Sequence, residues 1–243
     1  MKTMLFSVLL LSILSAPVLA ESVGKISFFV GAVKLQPKDA PEARAAKINQ
    51  PVADGDRILT EKADRAEVTL KDGSVLRISE ESDIIIACPN AKTVSPTIQK
   101  GKIWGNIKKL SQRSYDFEVT TGTATAAIRG TVFRMDNNPA DSMTSVAVYD
   151  GKVAVGPGTE LKKSLEASGA FKERKEVSGP EEVPGPFEVT LMDWVTIVKG
   201  QQINVQKGGK YSQFKFDQKK DAADEWVKFN RERDAATPVK HEE

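Results

Sequence analysis

From Val23 to Val205 the apolar residues recur with a period of two. Ile26, Phe28 and Val30 alternate, then Val33 and Leu35; Ala66, Val68 and Leu70 follow, then Leu76 and Ile78. Phe117 and Val119, Val146 and Val148, Val153 and Val155, and Phe187, Val189 and Leu191 continue the pattern. Successive side chains of a strand point to opposite faces, so this alternation dictates half-buried β-strands. Short clusters of turn formers punctuate it, at Asp54-Gly55-Asp56, Asp72-Gly73, Pro89-Asn90 and Asp150-Gly151. No helical stripe competes before the last thirty residues. The expected fold is all-β: an antiparallel-rich sandwich or barrel, or a short β-solenoid, followed by a C-terminal α-helix.

The same period ties loop length to the face that is buried. Around Asp72-Gly73 the apolar positions 66, 68, 70, 76 and 78 are all even, so cross-strand partners require an odd loop. A three-residue turn Lys71-Asp72-Gly73 follows, with Gly73 in the left-handed region. Around Asp150-Gly151 the parity changes from 146 and 148 to 153 and 155, which predicts a hairpin closed by a two-residue loop. Gly-Lys followed by an apolar residue recurs at Gly24, Gly101 and Gly151 with irregular spacing, and these read as turn exits.

Residues 156–186 change character, with Pro157, Pro180, Pro184 and Pro186 among interleaved Lys and Glu, and read as a long mobile insert within a β domain of residues 24–209. Strand pattern resumes through Trp194 to Val198 and Ile203 to Val205. Residues 217–235 read as a helix, with Ala222, Trp226 and Phe229 on one face for docking on the sheet. Residues 236–243 read as a disordered tail.

Four blocks in order carry a family resemblance: Val52-Ala-Asp-Gly-Asp-Arg-Ile-Leu-Thr60, the hairpin Ala66 to Ile78, the block Phe117 to Met135 with its Arg129-Gly130-Thr131 corner, and Val146 to Val155. Together they resemble the FecR domain family, named for a regulator of ferric citrate uptake, over roughly residues 24–155. The resemblance marks Gly55, Asp56, Asp72, Gly73, Arg129, Gly130, Thr131, Phe133 and Gly151 as motif positions of structural use. Gly122 stands where members commonly carry a proline. The resemblance implies an exported β module; in the founding group it belongs to a membrane-spanning regulator that relays an outer-membrane receptor signal to a sigma factor.

The first twenty residues read as a cleavable signal: Lys2, an apolar stretch from Leu5 to Leu14, and small residues up to Ala20, with cleavage before Glu21. That apolar stretch is too short to span a bilayer, so a soluble chain, periplasmic or secreted, is expected. A cleavable signal directly ahead of the β module leaves the family's extracytoplasmic sensing or binding role and not its transmembrane relay. The charges nearly cancel, 35 basic against 33 acidic, which gives no electrostatic case for nucleic acid or an anionic membrane. Cys88 is the lone cysteine, so no internal disulfide forms; beside Pro89 it reads as a buried thiol at a strand end.

Catalytic chemistry finds little to use. His241, the sole histidine, lies in the tail, so no Ser-His-Asp triad or histidine-ligated metal is expected in the folded part. Asp54 with Asp56, and Glu80, Glu81 and Asp83, are carboxylate clusters that read as solvated turns with ordinary pKa values. Asp136 to Asp141 offers hard oxygens but lacks calcium-loop spacing. Arg129 is expected to satisfy backbone carbonyls at its corner. No catalytic, metal or cofactor site is assigned and no enzyme activity is expected. The expected function is binding or sensing in the cell envelope through a protein or cell-wall glycan, with Arg129 and the insert as candidate contacts; the alternative is a structural protein whose helix makes the contact.

Overall fold

The structure is a computed structural model that describes residues 22–90, 92–109, 116–160, 162–163, 189–191 and 193–239. The signal segment 1–20, residues 164–186 of the insert, Phe187 and residues 240–243 of the tail, His241 included, lie outside the described residues.

In chain order the strands are β1 Ser22–Val30, β2 Lys34–Gln36, β3 Arg44–Ala45, β4 Pro51–Ala53, β5 Asp56–Leu59, β6 Arg65–Leu70, β7 Val75–Ile78, β8 Asp83–Asn90 and β9 Thr93–Ile107. There follow β10 Asp116–Thr120, β11 Ala124–Ile128, β12 Thr131–Asn138, β13 Met143–Asp150, β14 Lys152–Pro157, β15 Val189–Thr190, β16 Val195–Val198, β17 Gln201–Gln206 and β18 Lys210–Lys215. A short helix α1, Gln218–Asp221, precedes α2, Glu225–Ala236.

These strands form two layers that are open at their edges. The first runs β4-β1-β6-β7-β9-β12-β13-β17-β18-β15, and the second β3-β2-β5-β8-β9-β10-β11-β14-β16. Strand β9 belongs to both. Up to Lys100 it pairs with β8, and from Gly101, at φ 99°, it pairs with β12. The inward positions of both layers meet in one core that includes Ile26, Val68, Leu76, Ile103, Phe133 and Val146 from the first and Leu35, Ile58, Ile84, Phe117, Val119 and Val155 from the second. The period of two largely defines the buried face, but not along all of β1: the register shifts between Ile26 and Phe28, so Phe28 sits beside Phe229 of the helical segment and Val30 is 44% exposed.

The hairpin β6–β7 closes with the three-residue turn its parity requires: Val68 faces Leu76, Thr69 faces Val75, Leu70 N–H donates to Ser74 C=O at 2.9 Å, and Gly73 has φ 83°. Asp72 fixes the turn by accepting from Ser74 N–H and Ser74 Oγ at 2.8 Å each.

The expected hairpin at Asp150-Gly151 is not a hairpin. Strand β13 pairs with β12 and β17, whereas β14 pairs with β11 and β16, so the chain changes layer at Gly151. A layer change flips parity just as a two-residue loop does, because each arm must turn its apolar residues to the same core. The β11–β12 connection at Arg129-Gly130 and the β16–β17 connection at Gly200 cross in the same way, and the three corners stack. Gly130, Gly151 and Gly200 have φ 63°, 80° and 82°. Gly200 N–H donates to Val148 C=O at 2.8 Å and Lys199 N–H to Gly151 C=O at 3.2 Å. A Cβ on Gly151 would lie 2.6 Å from the Gly130 carbonyl oxygen.

Of the three Gly-Lys repeats, Gly101 and Gly151 are such corners. Gly24 instead lies within β1, where a Cβ would sit 2.5 Å from the Thr69 carbonyl oxygen, so it serves close strand packing. Strand β14 continues through Pro157, carrying the sheet past the residue where the insert was expected to begin.

Candidate functional site

The motif residues sort to one end of the molecule. Strand directions place the Asp54-Gly55 corner, the Asp72-Gly73 turn, Gly130 and Gly151 together at that end. Gly55 has φ 81° and Asp56 Oδ2 accepts from Ala53 N–H at 2.9 Å, closing the step from β4 to β5. Phe133 is fully buried, and a Cβ on Gly105 of β9 would fall 2.1 Å from its ring, so Gly105 makes room for it. Thr121 and Thr123 bond through Thr144 Oγ1 at 2.8 and 2.6 Å, which holds the β10–β11 turn against β13.

Arg129 does not hold its corner. Its side chain is exposed and has no hydrogen-bond partner among the described residues. Thr131 does this work: its Oγ1 contacts Lys152 C=O at 2.8 Å and Arg129 C=O at 3.2 Å. A small hydroxyl fits inside a tight corner that a guanidinium on a long stem overshoots.

The carboxylate clusters are tied to backbone and cations. Asp54 pairs with Lys38 at 2.8 Å and accepts from Cys88 N–H at 2.7 Å, and these bonds hold its pKa below the ordinary value. Burial pushes Asp56 up, against the pull of the Ala53 and Lys38 N–H groups, so this pair is not ordinary as the sequence suggested. Asp83 receives a forked ion pair from Arg57, with Nε at 2.6 Å. Glu80 accepts from Ala63 N–H at 2.7 Å. Asn138 and Asp141 close the β12–β13 turn on each other at 2.6 Å. Cys88 is half-buried and its thiol is pushed up to about 11, first by burial and then by Asp54.

A constellation the sequence did not flag lies on the outer face of the first sheet. The register aligns Glu67, Arg77, Trp104 and Arg134 as direct neighbours on β6, β7, β9 and β12. On an uncovered sheet these positions would face water, but α1 and α2 lie across them. Arg77, 1% exposed, donates from Nε to Glu67 at 2.7 Å and from Nη1 to Asp234 at 2.7 Å. Trp104 Nε1 donates to the other Asp234 oxygen at 2.9 Å, and Arg233 donates to Glu67 at 3.0 Å. Beside this cluster Arg134 donates to Asp221 at 2.9 Å, as does Tyr149 OH at 3.2 Å. Burial favours the neutral form of Glu67, yet the bonds from Arg77, Ser27 and Arg233 outweigh it and hold its pKa below the ordinary value. Burial raises Tyr149, reinforced by the Asp221 charge.

The helical segment is broken where one helix over 217–235 was expected. Asp224 is extended at φ −64°, ψ 127°, and its carboxylate accepts from Trp226 and Val227 N–H, so it starts a new helix. Trp226 is buried as expected and Phe229 half-buried, but Val227 and Asn230 are the fully buried positions. Between the N-terminus of α2 and the corners of the molecule's other end lies a groove of about 490 Å³, lined by residues that include Arg65, Glu81, Lys100, Lys102, Asp136 and Trp226. Asp136 faces Lys102 across β12 and β9. Its Oδ1 and the Trp226 Nε1 are sealed from solvent without a hydrogen-bond partner. Burial raises the Asp136 pKa, while Arg134 and Lys102 pull it down.

The fold and this covered, ion-paired face define an all-β module with a helical strap over one layer. The family model described as FecR protein matches residues 56–154. Two crystal structures of a candidate anti-sigma factor from Parabacteroides distasonis are similar to the chain at 18% identity and a TM-score of 0.48 each, covering 69% and 70% of it. The chain spans 62% and 64% of those relatives' lengths. A structure described as a cell surface anchoring domain shares 23% identity over 27% of this chain and 86% of its own, with a TM-score of 0.26. No curated protein matches the chain.

Proposed function

We propose that this chain is an exported, non-enzymatic FecR-domain module of the cell envelope that senses or signals by binding a partner protein or wall glycan. The observation that carries the reading is the FecR match over residues 56–154, which spans two of the three stacked corners, Gly130 and Gly151. Four of the five carboxylates weighed for acid–base work support it: Asp54, Asp83 and Glu80 are bonded to Lys38, Arg57 and the backbone of Ala63, and Asp56 to the backbone of Ala53, while Glu81 lines the groove. A general acid or base must be free to give a proton to a substrate or take one from it, and these four groups are engaged in turns.

Export is tested by mass spectrometry of the mature protein, expected to begin at Glu21; an intact Met1 overturns it. Partner binding is tested by capture from envelope extract with the full mature chain. Capture is expected to survive charge reversal at Lys228 and Glu232, both exposed on α2. Loss of capture in that variant would favour the structural reading, in which the helix makes the contact. Turnover of an envelope substrate that a single carboxylate substitution abolishes would overturn the non-enzymatic assignment.

A further inference from the structure

The groove at the N-terminus of α2 combines unpaired charges of both signs with two sealed, unsatisfied polar atoms. Lys100 and Lys102 come from the bend of β9 and Glu81 from the β7–β8 corner, and none of these side chains has an ion-pair partner among the described residues. Asp136 lies directly across from Lys102, its side chain 25% exposed, with one oxygen 3.4 Å from Arg134 and the other unpartnered. Trp226, 6% exposed, carries an indole N–H without an acceptor in the same wall. Leaving a buried donor and a buried acceptor unsatisfied is costly, so the wall of the groove carries a polar cost that a bound partner engaging the Asp136 carboxylate would reduce.

We propose that this groove binds a small zwitterion of amino-acid or dipeptide size, its ammonium on Asp136 and Glu81 and its carboxylate on Lys100 and Lys102. Free ammonium and carboxylate ends match the two signs of charge that line this one groove, which a neutral sugar or a plain anion does not. The carboxylate of Asp136 turns easily about its last torsion, so its unpartnered oxygen can be presented to a ligand at its exposed edge. A volume of about 490 Å³ is of the size that small-molecule sites occupy. The inference deepens the sensing reading and rests on it: the module would report a free amino acid or peptide end.

The test uses the ¹⁵N-labelled mature chain, titrated with glycine, L-lysine and glycylglycine, with acetate and ethylamine as half-ligands. The three tryptophan indole signals are assigned by single Trp→Phe variants. The zwitterions should shift the Trp226 signal and leave that of Trp104, whose N–H is held by Asp234. Each half-ligand should bind at least about tenfold more weakly. Asp136→Asn and Lys102→Gln should each weaken the response about tenfold or more while melting as wild type does. No shift at roughly 10 mM zwitterion, which would leave a bridging water as the only occupant, overturns the proposal, as does an equal response in Asp136→Asn. A chain that captures an envelope partner yet ignores the zwitterions loses this inference alone. One that binds them but captures nothing loses the partner reading and keeps the groove.

Discussion

Glu67 is a buried carboxylate whose ion pairs tie the sheet to the helical strap. It sits 6% exposed among Arg77, Arg233 and Ser27, and its pKa is held below the ordinary 4.5. A carboxylate whose folded-state pKa lies below its unfolded value stabilises the fold fully above that value, and the contribution is lost as pH falls through the lowered one. Stability should therefore fall on acidification below 4.5, and Glu67→Gln should flatten that limb of the melting profile. Glu67→Ala should cost about 3–5 kcal/mol at neutral pH, because Arg77 keeps a buried charge with one partner fewer. At the first corner Thr131→Val should cost about 1–3 kcal/mol by leaving the Lys152 carbonyl short of its donor, while Arg129→Ala should stay within about 0.5 kcal/mol. Chemical denaturation of the two variants checks the contrast; equal losses would return the corner to Arg129.

Turns and corners are the elements where local rules reach their limit. Gly73 and Gly151 both have positive φ, at 83° and 80°, yet their surroundings differ. A side chain at Gly73 meets the mobile end of Lys108 first, at 3.0 Å, so Gly73→Val should cost roughly 1–2 kcal/mol from backbone strain alone. At Gly151 the same change drives Cβ to 2.6 Å from the Gly130 carbonyl of the stacked corner, so Gly151→Val should destabilise more than Gly73→Val. Thermal melts of the pair decide it, and equal shifts would count against the stacked-corner geometry. The Asp72-Gly73 turn could be read from parity because its two arms pair with each other. At Asp150-Gly151 each arm pairs with strands distant in sequence, and nothing in the dipeptide announces that.

At the scale of the whole molecule, the C-terminal segment works as a cover and not as an appendage. It seals Arg77 and Trp104, each 1% exposed, with Asp234 bonded to both. Truncation after Phe216 should therefore lower the melting temperature sharply, since it strips the cover from a buried guanidinium and an indole. A truncated chain that melts as the full chain does would mean the strap is dispensable.

The sequence by itself determined the all-β class, most of the core, the Lys71 to Gly73 turn and the FecR blocks, because period two and turn chemistry act over a few neighbouring residues; the shift in β1 that takes Phe28 and Val30 out of the core was not legible there. The two-layer arrangement, the stacked corners and the row Glu67, Arg77, Trp104 and Arg134 were decided only by tertiary structure. Glu67 and Arg77 occupy the polar phase of an alternating hairpin, where the local pattern says solvent; their partners Arg233 and Asp234 arrive from more than 150 residues away. No local rule reports which face of a strand a distant helix will cover. The groove is of the same kind: Lys102, Asp136 and Trp226 stand on three separate elements, and only the packing of α2 against the bend of β9 brings them to one wall.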